Sequence, residues 1–555
     1  MRPIVASNIS LTTTITSTLS CSSNTVTQML SNMATFLDIC FTCESFMARR
    51  ISGDPRTHRI SELLRCNDVP SDGELSDFRD IIQQGPGRIA NLDQKIAHTK
   101  ELLEALINHR SVVEADIEDA KVLSSPVRRL PPDVLRSIAL ETIPSPSEIM
   151  SSNIYFYNSL DRTRSPWTLS QVCRSWRMTI ISSPELWSSI SLDITYDLST
   201  SLASIRSPMF MVELHLERSR NAPLTLSLLS NMNNADHPFL SLISTRASSI
   251  KNLYLLSNPL CSLQGLSRCR GSWNRLHHLK IESINVRWPM EQIFDTFEYA
   301  PNLRVFEADI PHLQAIPLVP WVQLTHLTVK RSNMEASDIH RLFELLRQAK
   351  NITSLEIQGM APRMPEESEA ISLPHLTSLK LDNNSAILPS LSTPNLVVLS
   401  LIYNGVPLFP QLKIPNAIRT LEIIRRRPEI SWRSMRSEAC ALPRLSSLMN
   451  SVPRLRHLVF KSAAALSGSD ISALLPSPAQ TTLPRLKTLD LRGCAFKFDH
   501  AIFVHMVNIR RQGNNPDIDR LETVYLGAPL SLNEIYSRRW RSLCDEGLNV
   551  VYGRL

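Results

Sequence analysis

Glycine is scarce in this chain, 14 of 555 residues, and the shortage removes a group of functions at once. There is no phosphate-cradling glycine loop, no H-E-x-x-H and no G-x-S-x-G, so nucleotide hydrolysis, zinc proteolysis and serine-type acyl transfer lack their usual parts. No other catalytic constellation stands out, and the chain is not expected to be an enzyme. The 10 cysteines are scattered, which excludes a disulfide framework and fits a reducing compartment, cytoplasmic and/or nuclear. Cys40 and Cys43 form a lone C-x-x-C with no second ligand pair at zinc spacing, so neither a metal nor a cofactor is expected. Long apolar runs are absent too. The most apolar early stretch, Met29 to Met47, is broken by Asp38 and Glu44, and no membrane span is expected.

Charge of one sign is also lacking. The formal net charge of +7 is modest, and the short clusters Arg425-Arg426-Arg427 and Arg538-Arg539 with Arg541 read as solvated faces rather than a nucleic-acid footprint. His277 and His278 are neighbours with Glu282 close by. Adjacent side chains on a strand point to opposite faces, which disfavours joint metal ligation.

What the chain does have is organised in blocks. Residues 1–80 are Ser/Thr-rich at the start and are predicted to be mostly disordered, with Met33 or Met47 as alternative starts. Over 88–123 an apolar seam appears: Ile89, Ile96, Leu103 and Ile117 at one heptad position, Leu92, Leu106 and Val113 at the other, with Thr99, Arg110 and Ala120 as weak members. The seam predicts a coiled-coil-like helix. Self-association and a single helix laid against the next segment both remain open.

Residues 127–190 carry two apolar stripes. Pro131 and Pro132 suit a first helical turn beside Asp133, and Val134, Leu135 and Ile138 follow at helical spacing. The helix must end before Pro144. Ser165-Pro166 repeats the start signal, and Leu169, Val172, Cys173, Trp176 and Ile180 recur every three or four residues, with Arg174 and Arg177 on the wet side. So much apolar surface needs another body to cover it.

These residues resemble an F-box: Leu130-Pro131, Asp133 and Val134-Leu135, then Val172-Cys173-Arg174 with Trp176, and Pro184 with Leu186-Trp187. The stretch between the helices, Pro144 to Pro166, is longer than the family's usual connection. The resemblance implies docking on a Skp-family adaptor, and through it on a cullin, by Leu130, Pro131, Val134, Leu135, Ile138, Leu169, Val172, Cys173 and Trp176. Some of these serve the domain's own packing.

Over 191–555 the signal becomes a repeat. L-T-S-L-K-L-D-N-N from Leu376, L-V-V-L-S-L-I-Y-N from Leu396 and L-K-T-L-D-L-R-G-C from Leu486 satisfy a leucine-rich pattern, and looser copies begin at Ile250, Leu276, Leu303, Leu324, Ile352, Ile418, Leu455 and Leu521. The fold class expected is α/β: an irregular leucine-rich-repeat solenoid with parallel strands inside and helices outside. Positions one, four and six of each unit point into a shared core, and the ninth-place Asn384, Asn404 or Cys494 bonds open backbone. Helices are predicted over Ser337–Lys350 behind a Ser337 cap, over Met290–Tyr299, and over Ser531–Asp545 as an end cap before Gly547.

The fifth residue of each unit should form the exposed column of a concave face. It reads Tyr254, Lys280, Glu307, Thr328, Glu356, Lys380, Ser400, Glu422, Val459, Asp490 and Tyr525. Mixed charge of this kind suits a protein substrate or degron rather than a purely acidic or basic ligand. F-box proteins with such repeats, including large families in mushroom-forming fungi that this arrangement resembles, act as substrate receptors of SCF ubiquitin ligases. The alternative is a leucine-rich-repeat interaction scaffold without ubiquitin function, its helices only a cap.

Overall fold

The computed structural model describes residues 55–150, 158–193, 202–230, 237–257, 259–283, 294–360, 370–403, 415, 417–426, 449–465, 471–472, 474–476, 482–495, 500–512 and 518–553. The chain divides into two compact units, Met1–Arg128 and Arg129–Leu555.

The first unit holds α1 (Pro55–Leu63) and α2 (Asp72–Ser124). A reciprocal capping box starts α2: Ser71 accepts from the Glu74 amide, and the Glu74 carboxylate accepts from the Ser71 amide at 2.8 Å. Within the stretch predicted to be mostly disordered, 55–63 and 72–80 are helical, while 1–54 lie outside the described residues. Gly85, Pro86 and Gly87 lie inside the helix. No residue of α2 is buried.

The second unit begins with α3 (Pro132–Glu141), α4 (Pro146–Ile149) and α5 (Arg174–Ser182). Pro132 opens α3 and Asp133 lies in its first turn, as the start signal requires. The second stripe is not one helix. Leu169–Gln171 makes a 3-10 turn, and Cys173 is extended at φ −159° as the cap of α5. Arg177 Nε donates back to the Ser170 carbonyl at 3.0 Å, across that break. Leu169, Val172 and Cys173 therefore do not share a helical face with Trp176 and Ile180.

The rest is a parallel sheet with helices on its core side. Its strands are β1 (Ser189–Asp193), β2 (Leu224–Ser230), β3 (Ile250–Ser257), β4 (His278–Ser283), β5 (Val305–Asp309), β6 (His326–Asn333) and β7 (Ser354–Met360). A two-stranded side ladder, β8 (Ile371–Ser372) with β10 (Leu391–Ser392), flanks β9 (Ser378–Asp382). β11 (Val398–Tyr403), β12 (Thr420–Arg425), β13 (His457–Ala465), β14 (Thr488–Ala495), β15 (Thr523–Leu526) and β16 (Asn549–Tyr552) complete it. Among the described residues fourteen strands pair in chain order, each parallel to the next. Such an arrangement is solenoid-like: every unit meets only its neighbours.

Every repeat start read from the sequence lies two residues before a strand except Ile250, which opens β3 itself, and the side chains at places one, four and six are buried in one continuous cluster, as in Leu376, Leu379 and Leu381. The repeat pattern missed β1, β2 and β16. Helices α6 (Leu202–Arg218), α7 (Pro238–Ser244), α8 (Pro259–Gly265), α9 (Ala336–Gln348), α10 (His500–Gln512) and α11 (Glu534–Asp545) lie between strands.

Several local expectations are corrected. The cap of α9 is Glu335, boxed with Asp338, rather than Ser337, because a carboxylate there reaches the first-turn amides. Residues 296–299 form a turn, although Phe294 and Phe297 are buried as expected; 290–293 lie outside the described residues. α11 starts at Glu534 behind an Asn533 cap and ends at Gly547, φ +91°, where a residue without a side chain is favoured. It is followed by β16, so a strand rather than a helix comes last. Cys494 Sγ meets the Phe460 carbonyl at 3.3 Å as its place in the repeat predicts. Asn384 instead directs its amide to Met334 Sδ at 3.2 Å, and Asn404, Cys40 and Cys43 lie outside the described residues.

Candidate functional surfaces

Two surfaces of the second unit carry the residues singled out in the sequence. On the helical end, α3 splits its apolar stripe. Leu135 and Ala139 are buried, whereas Val134 is 38% and Ile138 40% exposed. A helix turns 100° per residue, so neighbours such as Val134 and Leu135 can lie on opposite sides of the waterline. Leu135 is thus a packing residue and not a contact. Leu169 also packs inward, against a cluster of Ala139, Trp167, Ile180, Leu186, Trp187 and Met211. Val172 is 58% exposed, Pro131 and Cys173 are exposed, and Leu130 and Trp176 are half-buried. Met178 on α5 is 66% exposed, and the sequence reading did not select it.

The inward half ties the helices to the repeats. Trp167 and Trp187 meet edge to face at 4.9 Å between ring centroids, His215 of α6 packs on both, and Arg218 lies 4.4 Å over Trp187. Each indole is anchored: Trp167 Nε1 donates to the Ser159 carbonyl at 2.8 Å, Trp187 Nε1 to the Ile180 carbonyl at 2.9 Å. Arg136 of α3 pairs with Glu185.

The second surface is the open face of the sheet. The eleven fifth-place residues form one unbroken row of register partners, from Tyr254 beside Lys280 through Glu307, Thr328, Glu356, Lys380, Ser400, Glu422, Val459 and Asp490 to Tyr525. The row is not uniformly accessible. Tyr254 and Lys280 are buried, which corrects their assignment as substrate contacts.

Their cover is the segment that makes the connection between the F-box-like helices long. α4 brings Met150 onto the face, where it packs with Tyr254 and Leu256, and Lys280 Nζ donates to the Met150 carbonyl at 2.8 Å. Tyr254 Oη donates to Glu282 at 2.6 Å, and Lys280 sits 4.6 Å over the Tyr254 ring. A capping box of Ser145 and Glu148 starts α4, and Ile149 is buried. The S-P-S-E sequence was the signal for this element, but nothing in it told which surface Met150 would meet.

Beyond β4 the row is half-buried apart from Ser400 and Asp490, and its charges are matched in pairs: Lys380 with Glu356 at 2.9 Å, Lys461 with Glu422 at 2.6 Å and Arg492 with Asp490 at 2.7 Å. Ser400 Oγ donates to Glu422 at 2.8 Å, and both Ser400 and Asp490 are buried, which corrects their assignment as substrate contacts as well. Asp382, buried on β9, is met by Arg426 at 2.8 Å, so that arginine serves an ion pair rather than a plain solvated face. Burial, with Glu282 adding to it, pushes the Asp309 carboxyl up to about 6. His278 is bound to Glu307 at 2.9 Å, while His277 lines a shallow depression with Lys251, Arg275 and Arg304. Among the described residues no group of three or more His, Cys, Asp or Glu is placed to hold a metal, and no helix is long and apolar enough to cross a membrane.

Comparison with protein-family models and with curated proteins gives no match for this chain.

Proposed function

We propose that this protein is the substrate-recognition subunit of an SCF-type ubiquitin ligase. Val134, Ile138, Val172, Cys173 and Met178 would dock on a Skp-family adaptor, and the half-buried members of the row, Glu307, Thr328, Glu356, Lys380, Glu422 and Tyr525, would hold a protein client. The observation that carries this reading is the split of α3. Its motif residues Leu135 and Ala139 complete the interior, while Val134 and Ile138, one turn apart, keep apolar surface exposed to water. Solvent-exposed β-branched residues on a short helix suit a partner that covers them. The receptor would accelerate transfer by raising the local concentration of a client lysine near the ligase, without supplying chemistry of its own.

Binding of the purified chain to a Skp-family adaptor tests this. Val134→Asp and Ile138→Asp should each weaken binding by about 100-fold or more, since a carboxylate buried without a partner costs several kcal/mol. Their melting temperatures should match the parent, because both sites are exposed in the free protein. Undiminished binding by the two variants would remove the docking assignment.

A scaffold reading has its own support in the Trp167–Trp187–His215 packing, which gives the helices a capping role on the repeats. Failure of the folded parent chain to bind any Skp-family adaptor would favour it.

A further inference from the structure

We propose that α2 pairs in parallel with the α2 of a second copy of this chain, forming a two-stranded coiled coil whose core runs from Ile89 to Ala120. This stands apart from the ubiquitin reading. α2 is 53 residues long, about 80 Å at 1.5 Å per residue, and buries none of them. Its seam is far from hidden: Ile89 is 61%, Ile96 51% and Leu103 56% exposed. Few isolated helices with apolar surface in water hold together without a tertiary partner.

The repeat is heptad and extends further than the polar segment suggests. Because α2 starts at Asp72, Leu75 and Ile82 fall in register with Ile89, and Phe78 with Leu92. Gly85 to Gly87 interrupt the pattern, which places the firm core C-terminal to them. A seven-residue period drifts around a straight 3.6-residue helix, and it stays on one side only when two such helices wind around each other.

The flanking residues select the occupant. In a parallel pair, the residue before each first core position faces the residue five further on in the other strand. Arg88 then meets Asp93 of the second copy, His109 meets Glu114, and Asp116 meets Lys121. Leu102 meets Ile107, widening the apolar contact at mid-helix, and Lys95 with Lys100 is the one like-charged pair of the five. Arg110 stands at a core position and is paired with Glu114 of its own helix at 2.8 Å. Thr99 and Arg110 are the polar core residues, and polar residues at such positions fix register at some cost in stability.

Sedimentation equilibrium of the full chain should give about twice 62.6 kDa. Leu103→Glu combined with Leu106→Glu should reduce it to the single mass without changing the melting of the second unit, whereas Ala115→Glu, on the outer side, should remain a dimer. Under oxidation Val113→Cys should form an interchain disulfide that Ala115→Cys does not. A parent chain that is monomeric at tens of micromolar, or a dimer that survives the double substitution, would overturn the proposal. A dimer in which Val113→Cys fails to cross-link would overturn the parallel arrangement.

Discussion

His215 lies between Trp167 and Trp187 with its Nε2 donating to the Ser159 carbonyl at 3.1 Å. Burial holds its pKa down at about 4, against about 6.5 for an exposed histidine. As pH falls below about 6.5 the unfolded chain takes up this proton first, so stability is whole above that pH and is lost down to about pH 4, by up to about 3 kcal/mol. His215→Gln keeps a donor for Ser159 and cannot titrate. Urea melts at stepped pH should show a shallower loss between 6.5 and 4 in that variant, and identical profiles would refute the assignment. Single side chains were the least legible part of the sequence. Periodicity placed Val134, Leu135 and Ile138 on one stripe, but only packing decides that Leu135 turns inward while its neighbours stay wet. Tyr254 and Lys280 failed for a related reason: their cover, Met150, is more than a hundred residues earlier in the chain, where no local signal points to them.

Repeat elements were far more legible, because places one, four and six must be apolar for a unit to stack at all. Ile250, Leu253 and Leu255 announce β3 as plainly as Leu486, Leu489 and Leu491 announce β14. β1, β2 and β16 escaped because their sequences, S-I-S-L-D, L-T-L-S-L-L-S and N-V-V-Y, carry the alternation of a strand without the wider spacing. The second F-box-like stripe was misread as one helix, since a 3-10 turn followed by extended Cys173 keeps residues near helical spacing. α10 contains a feature with no sequence signature. Arg510 is buried, and its guanidinium donates to the carbonyls of Leu474, Leu483 and Thr482 at 2.9 to 3.0 Å. Burial lowers its pKa to about 10, so it stays cationic at neutral pH. Arg510→Met leaves three carbonyls without that donor and should cost about 3 kcal/mol in urea unfolding. A loss under about 1 kcal/mol would mean that other donors replace it.

The second unit, Arg129–Leu555, joins helices and sheet through shared interior rather than through a linker. Calorimetry should therefore record the F-box-like helices and the first repeats melting together. Trp187→Ala removes the largest fully buried side chain at that junction and should cost about 3–5 kcal/mol. It should also separate an early transition, assigned to 129–187, from that of the repeats. A single undivided transition in the variant would show that the junction does not couple them. At this level the succession of a long helix, short helices and a parallel solenoid-like sheet with helices was legible. How firmly the blocks are fused was not, because it depends on contacts such as Trp187 with His215 and Lys280 with Met150.

That last contact has a geometric consequence. Met150 clasps β3 and β4, and the two indoles pack on α6, so packed contacts tie the helical end to the sheet between Val134 and Glu307. Under the proposed function, the stretch from adaptor to client would act as a rigid ruler. It would dictate which lysines of the client come within range of the ubiquitin carrier, so selection among lysines would be written into this junction as much as into the residues that touch the client.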